Sequence, residues 1–257
     1  MKGPFKKYIF SLLIISLIFN LTGSFFVARK LYYSRLKESN NKFISSKYAS
    51  ILSYDSIPPD VEIDKTNLLN TLIYKFDYKS YLEIGQGKAE NNFNWIKCKI
   101  RIGVDPDPGC NAAYCLTSDE FFQLNKTTFD LIFIDGLHHK EQVYRDIINS
   151  LNCLNKNGTI VVHDCNPTNE VMQIVPQIQD VWTGDVWKAW VKLRSEKNDI
   201  EMFVLANTGG CGIIRAGKQE TILVPDSLTY QSLSENREYL LNLKSINYFL
   251  HYLKRIE

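Results

Sequence analysis

Two places in the chain put carboxylates and imidazoles directly behind apolar runs. Residues 129–134, Phe-Asp-Leu-Ile-Phe-Ile, lead into Asp135, Gly136, Leu137, His138 and His139; residues 159–162, Thr-Ile-Val-Val, lead into His163 and Asp164. Two aspartates and an imidazole at neighbouring strand ends can share a divalent cation. They can also frame an acceptor hydroxyl whose proton the imidazole removes, since imidazole titrates near working pH. On this reading Asp135, His138 and Asp164 are the candidate catalytic residues, and Asp135 and Asp164 the candidate metal ligands. The plainer alternative is that His138 and His139 open a helix and Asp164 caps one.

Closer to the N-terminus lies a glycine turn, Glu83-Ile84-Gly85-Gln86-Gly87-Lys88, where backbone can approach a ligand closely. Asp105 follows Gly85 by twenty residues, the separation at which an acidic side chain can accept hydrogen bonds from ribose hydroxyls. The run Thr117-Ser118-Asp119-Glu120-Phe121-Phe122 offers a polar acceptor for an adenine amino group and aromatics to cover the ring. It equally offers an N-cap, with Ser118 or Asp119 opening a short helix. The nucleoside implied is not a dinucleotide. At the third position of the dinucleotide fingerprint stands Glu90, which would repel a pyrophosphate at a helix N-terminus. Adenosylmethionine has no phosphate and carries a sulfonium and an ammonium, to which Glu83 and the backbone around Gly85 are better suited.

These residues need strands to deliver them to one edge. Apolar runs at 80–84, 100–104, 113–116, 129–134 and 159–162 alternate with helical periodicity at 66–76, 91–96 and 140–154, and 200–205 with 211–215 read as a closing hairpin. The first helix is expected to be capped by Asp64 or Thr66. The alternation predicts an α/β fold, doubly wound, with a mostly parallel sheet and its ligands at the carboxyl ends of the strands. A helix over 184–194 carries Trp187 and Trp190, with Trp190 expected in the core. Together with Trp182 this segment could also form a lid over the acceptor. Its Lys188, Lys192 and Arg194 are expected to form a solvated face. Residues 228–256 read as helical.

Composition bounds the rest. The chain has 257 residues, 45% hydrophobic and 23% charged, with a net charge of +2. That is globular composition without the massed basic residues of a nucleic-acid-binding surface. The six cysteines form no CxxC pair and are expected to be reduced and mostly buried, favouring a reducing compartment. Residues 8–27 are uncharged and as long as a membrane-crossing helix, with Lys2, Lys6 and Lys7 before them and Arg29, Lys30, Arg35 and Lys37 after. An uncleaved single-pass anchor is expected, with a cleaved signal peptide and a buried core helix as the alternatives, and the main domain is expected in the cytoplasm on the slight basic excess after the segment. The boundaries read as 1–30 tail and transmembrane anchor, 31–60 linker, 61–220 main domain and 221–257 helical extension. Whether that extension packs on the domain, forms a homo-oligomer or lies near the membrane is left open.

Taken in order, residues 81–85, 102–107, 117–122, 129–139 and 158–164 resemble the class I methyltransferases of the methyltransferase domain 24 type. The resemblance implies a Rossmann-like methyltransferase sheet of seven strands, the last antiparallel, and S-adenosyl-L-methionine as donor. Glu83, Gly85, Gly87, Asp105, Asp135 and Ser118 or Asp119 would then form the donor site. More distantly the chain is similar to macrolide-sugar O-methyltransferases, which implies Mg2+ on Asp135 and Asp164 with His138 as base. It departs from them in having His163 where an acidic residue is usual, in the donor loop Lys88-Ala89-Glu90, and in the membrane segment. The activity expected is O-methylation of a small-molecule or glycan acceptor. The alternatives are an inactive, membrane-anchored nucleoside-binding module and an NAD-dependent enzyme.

Overall fold

The computed structural model describes residues 63–207 and 209–256. Helix α1 (Lys65–Phe76) starts at Asp64, whose carboxylate accepts the Asn67 N–H at 2.8 Å, and stops at Asp77 in the left-handed conformation. Strands β1 (Ser80–Ile84) and β2 (Ile100–Val104) follow, then α2 (Ser118–Leu124), β3 (Phe129–Ile134), α3 (Lys140–Asn152), β4 (Leu154–Val162) and α4 (Val186–Glu196). Strands β5 (Ile200–Leu205) and β6 (Cys211–Ala216) form the hairpin, and α5 (Tyr230–Leu241), β7 (Leu243–Lys244) and α6 (Ile246–Arg255) end the described chain.

The seven strands form one sheet in the order β2-β1-β3-β4-β6-β5-β7. Neighbours from β2 to β4 are parallel, while β6 runs antiparallel to both β4 and β5. Successive strand residues face opposite sides, so the sheet divides its core in two. Leu82, Ile84, Ile132, Ile134, Ile160 and Val162 pack with α2, α3, α4 and α5. Tyr81, Leu131, Phe133 and Val161 pack with α1 and α6. This alternation decides which way the residues at the strand tips point.

Several sequence expectations change. Residues 113–116 do not form a strand; Tyr114 makes a single parallel bridge to Val104, and Ala113, Tyr114 and Cys115 are exposed. With no burial to gain, the pairing goes no further. The seventh strand is instead β7, added beside β5 by the C-terminal stretch. That stretch is not one helix, because Asn242 takes a left-handed conformation between α5 and β7 and donates to the Met202 carbonyl at 2.8 Å. The helix expected over 91–96 is a pair of 3-10 turns, Ala89–Asn91 and Phe93–Trp95, separated by Asn92 at φ −150°. Arg194 is buried and donates to the carbonyls of Leu240 and Tyr239, locking α4 to α5, so it is not part of a solvated face. Trp187 and Trp190 are both fully buried. All six cysteines are free and only Cys115 is exposed. Among the described residues no helix is long and apolar enough to cross a membrane, and residues 8–27 lie outside them.

Candidate active site

The carboxyl ends of β1, β2, β3 and β4 bring the singled-out residues to one edge of the sheet. The turn after β1 begins with Gly85 at φ +80°, where a Cβ would lie 2.3 Å from the Asp135 carbonyl oxygen. The glycine is therefore required by the close approach of the β3 tip, and the two strand ends are fixed against each other. Gly87 faces open space. Its N–H donates to Asp105 Oδ2 at 2.8 Å, while Asp105 Oδ1 accepts the Asp107 N–H at 2.9 Å. Asp105 is half-buried, and each of its oxygens has more than one lone pair, so it can still receive ribose hydroxyls.

Glu83 is placed differently from the expectation. It points to the α1 side of the sheet with 1% of its surface exposed. Its carboxyl accepts from Tyr81 Oη at 2.6 Å and from Asn92 Nδ2 at 3.1 Å, and Asn92 Oδ1 in turn accepts from Thr66 Oγ1 at 2.7 Å. Burial, opposed by these hydrogen bonds, pushes the Glu83 carboxyl up to about 7. Glu83 thus braces β1 against α1 and the 89–95 turns, and Asp105 is the carboxylate beside the glycine turn.

At the start of α2 the cap is Thr117. Its hydroxyl accepts the Glu120 N–H, and the Glu120 carboxylate accepts the Thr117 N–H at 2.8 Å. Ser118 Oγ and Asp119 Oδ1 both accept from Gln142 Nε2, at 3.0 and 3.1 Å, so α3 fixes the first turn of α2. Phe121 is buried beside Tyr114 in an edge contact of 5.1 Å, and Tyr114 is exposed.

The densest cluster lies at the tips of β3 and β4. Both tips continue the ladder by one bond, Asp135 N–H to Ile84 O and His163 N–H to Ile134 O. Asp135 and His163 consequently fall two residues past Phe133 and Val161, on the α1 side, where α1 begins. Lys65, the first residue of α1, places its Nζ 2.5 Å from Asp135 Oδ2. Asp135 Oδ1 lies 3.2 Å from His138 Nε2 and 3.1 Å from His163 Nδ1. His163 Nδ1 is also 3.0 Å from Asp164 Oδ2, so it spans the two carboxylates. Burial works against charge on Asp135, but His163, Lys65 and the His138 hydrogen bond outweigh it and hold the carboxyl well below its usual range. Burial likewise opposes charge on His163 and Lys65, and the facing aspartates raise both.

His138 is held from several directions. Its Nε2 faces Asp135, and its Nδ1 has no hydrogen-bond partner and lies 3.6 Å from Asp164 Oδ2. The Trp182 indole stacks on its ring at 5.2 Å. The Asp185 N–H donates to the His138 carbonyl at 3.1 Å, and Asp185 Oδ1 accepts the Lys140 N–H at the start of α3. Gly184, at φ +58°, permits this contact, because a Cβ there would lie 1.9 Å from the His138 carbonyl oxygen.

The nearest donor atoms of Asp135, His138 and Asp164 lie within 4.8 Å of one another, as the expectation of a shared cation requires. The remaining contacts do not fit one. Magnesium demands near-octahedral oxygen ligation, and here Asp135 Oδ2 is taken by an ammonium while His163 fills the space between the carboxylates. Lys65 and Trp182 complete the cluster from outside the motif segments. Lys65 precedes Asp135 by seventy residues and carries no local signature. Trp182 was legible only as one of several tryptophans near the catalytic edge.

Fold and site together define a mixed α/β sheet with a carboxylate, Asp105, just past β2 and an acid–imidazole cluster at the tips of β3 and β4. Residues 71–165 match the family described as a methyltransferase domain, Methyltransf_24. No curated protein matches the chain. Among solved structures it is similar to a Bacillus cereus O-methyltransferase in complex with SAH, at 14% identity over 68% of this chain and 90% of that one, with a TM-score of 0.45. It is similar to an SAH-bound methyltransferase from Podospora anserina, at 15% identity over 68% and 88%, with a TM-score of 0.47. A third similar structure is MycE of the mycinamycin biosynthetic pathway with Mg, SAH and mycinamycin VI, at 13% identity over 61% and 50%, with a TM-score of 0.40.

Proposed function

We propose that the chain transfers a methyl group from adenosylmethionine to an oxygen of a small or sugar-like acceptor. The donor would lie across the tips of β1 and β2, over Gly87, with its ribose hydroxyls on Asp105. The observation that carries the catalytic half is the state of His138. Nε2 lies 3.2 Å from the Asp135 carboxylate and Nδ1 has no hydrogen-bond partner, beside Asp164; in the tautomer that donates from Nε2 to Asp135, Nδ1 would hold a free lone pair. That is a general base in waiting, with Asp135 fixing its tautomer. Methyl transfer asks little else beyond holding nucleophile, methyl and leaving sulfur in line. Trp182 covers the imidazole and would move aside or pack on the acceptor.

The NAD reading loses support because β1 leads into 3-10 turns in place of a helix whose N-terminus could hold a pyrophosphate, and Glu90 is exposed there. We also propose that residues 8–27 anchor the chain in a membrane, with the domain on the cytoplasmic side. A membrane-linked glycan then becomes the acceptor class of choice. Val171, Ile174, Val175, Ile178 and Val181, on the segment before Trp182, are exposed and suit an acceptor with an apolar carrier.

The test is methyl release from labelled adenosylmethionine with a panel of hydroxylated acceptors, free sugars and lipid-linked sugars included. His138→Ala should abolish transfer and keep donor binding; transfer that survives this change would remove His138 from the reaction. Resistance of the full chain to alkaline extraction from membranes checks the anchor.

A further inference from the structure

We propose that Lys65 stands in this site where a divalent cation would otherwise bind, so that the acid–imidazole cluster works without a metal. The inference rests on the methyl-transfer reading above for its purpose, but its evidence is geometric. A metal shared by Asp135 and Asp164 needs oxygen lone pairs from both, turned toward a common point. Asp135 Oδ2 instead points at the Lys65 ammonium, 2.5 Å away, and Asp135 Oδ1 receives His138 and His163. Asp164 Oδ2 is engaged by His163 Nδ1 at 3.0 Å. A nitrogen within hydrogen-bonding distance of two carboxylates is there as a donor, so His163 Nδ1 carries its proton between the two groups a metal would join.

Lys65 is placed for this by more than one contact. It is the first residue of α1, fixed by the Asp64 cap, and its ammonium also lies 5.7 Å from the centre of the Phe133 ring. Its side chain keeps 27% exposure. An ammonium has three N–H donors, and one is used by Asp135. The residue also lies outside the segment that matches the methyltransferase family, residues 71–165. Lys65 at the start of α1 and His163 just past β4 thus meet Asp135 from two separate elements.

The experiment is a titration of the full chain with Mn2+, followed by electron paramagnetic resonance and repeated with Mg2+ by calorimetry, with and without adenosylmethionine. The wild type should show no saturable site at millimolar metal. A variant carrying Lys65→Ala and His163→Glu should gain a site, with Mn2+ affinity rising by roughly tenfold or more, and Asp135→Asn on that background should remove it. Circular dichroism establishes that each variant is folded; should the double variant fail to fold, the wild-type titration decides alone. A saturable wild-type site lost in Asp135→Asn would overturn the inference. Adenosylmethionine binding, read on the same samples, tests the methyl-transfer reading separately: a chain that binds neither donor nor metal contradicts that reading and still supports the metal-free cluster.

Discussion

Replacing Glu83 by glutamine tests the buried network behind β1. In the folded chain the Glu83 carboxyl titrates at about 7, against 4.5 for the free side chain, with burial as the main cause. The folded state therefore holds a proton on Glu83 through a window in which the unfolded chain has released it. A group whose folded pKa is raised stabilises below the unfolded value and loses that contribution as pH climbs through the folded value. The difference of 2.5 between the two values corresponds to about 3 kcal/mol, at about 1.4 kcal/mol for each tenfold change. Glutamine cannot ionise and retains an acceptor for Tyr81, so Glu83→Gln carries a pH-independent offset without the slope. Urea unfolding of both proteins from about pH 4 to about pH 8 should show the variant gaining about 3 kcal/mol on the wild type across that range. A difference that stays flat with pH would refute the reasoning, and would mean that Glu83 is ionised in the fold or that its network is open to water.

Other predictions concern the site and its supports. Asp105→Ala should abolish donor binding without unfolding the domain, while Asp105→Asn, whose single side-chain oxygen can replace only one of the two acceptors used by the Gly87 and Asp107 amides, should weaken it by a smaller factor; calorimetry separates the two, and unchanged affinity in Asp105→Ala would remove it from the donor site. His138→Ala should lower the transfer rate by about 10²–10⁴-fold with donor affinity intact. Gly184→Ala places a Cβ against the His138 carbonyl at a positive φ, and should cost about 2–4 kcal/mol by denaturant unfolding, together with loss of transfer. Trp190→Ala empties a fully buried site under β6 and should cost about 3–5 kcal/mol in the same assay.

Much of this architecture was legible because its signals are local. The buried runs at 129–134 and 159–162 and the amphipathic pattern of α3 each follow from a handful of adjacent residues. Their alternation was enough to expect a parallel sheet with Asp105, Asp135, His138 and Asp164 along one edge. What was not legible depends on contacts distant in sequence. Nothing near Lys65 announces that it meets Asp135. The side on which Glu83 lies is set by the register that pairs it with Gly103 and Phe133, and by Asn92 reaching over from the 3-10 turns. The apolar run at 113–116 failed as a strand because a strand needs a partner and burial, and there the chain makes only one bridge. Arg194 looked like a surface cation until α5 supplied two carbonyls for it, and the C-terminal stretch reads as helix throughout because nothing around Asn242 signals the strand that follows it.

The most direct measurement of the central claim is equilibrium binding of the full chain to adenosylmethionine and, separately, to NAD, by calorimetry at matched concentrations. Saturable binding of adenosylmethionine at one site per chain, lost in Asp105→Ala, with no heat from NAD, is the predicted result. Binding of NAD in preference to adenosylmethionine, or of neither, would contradict it.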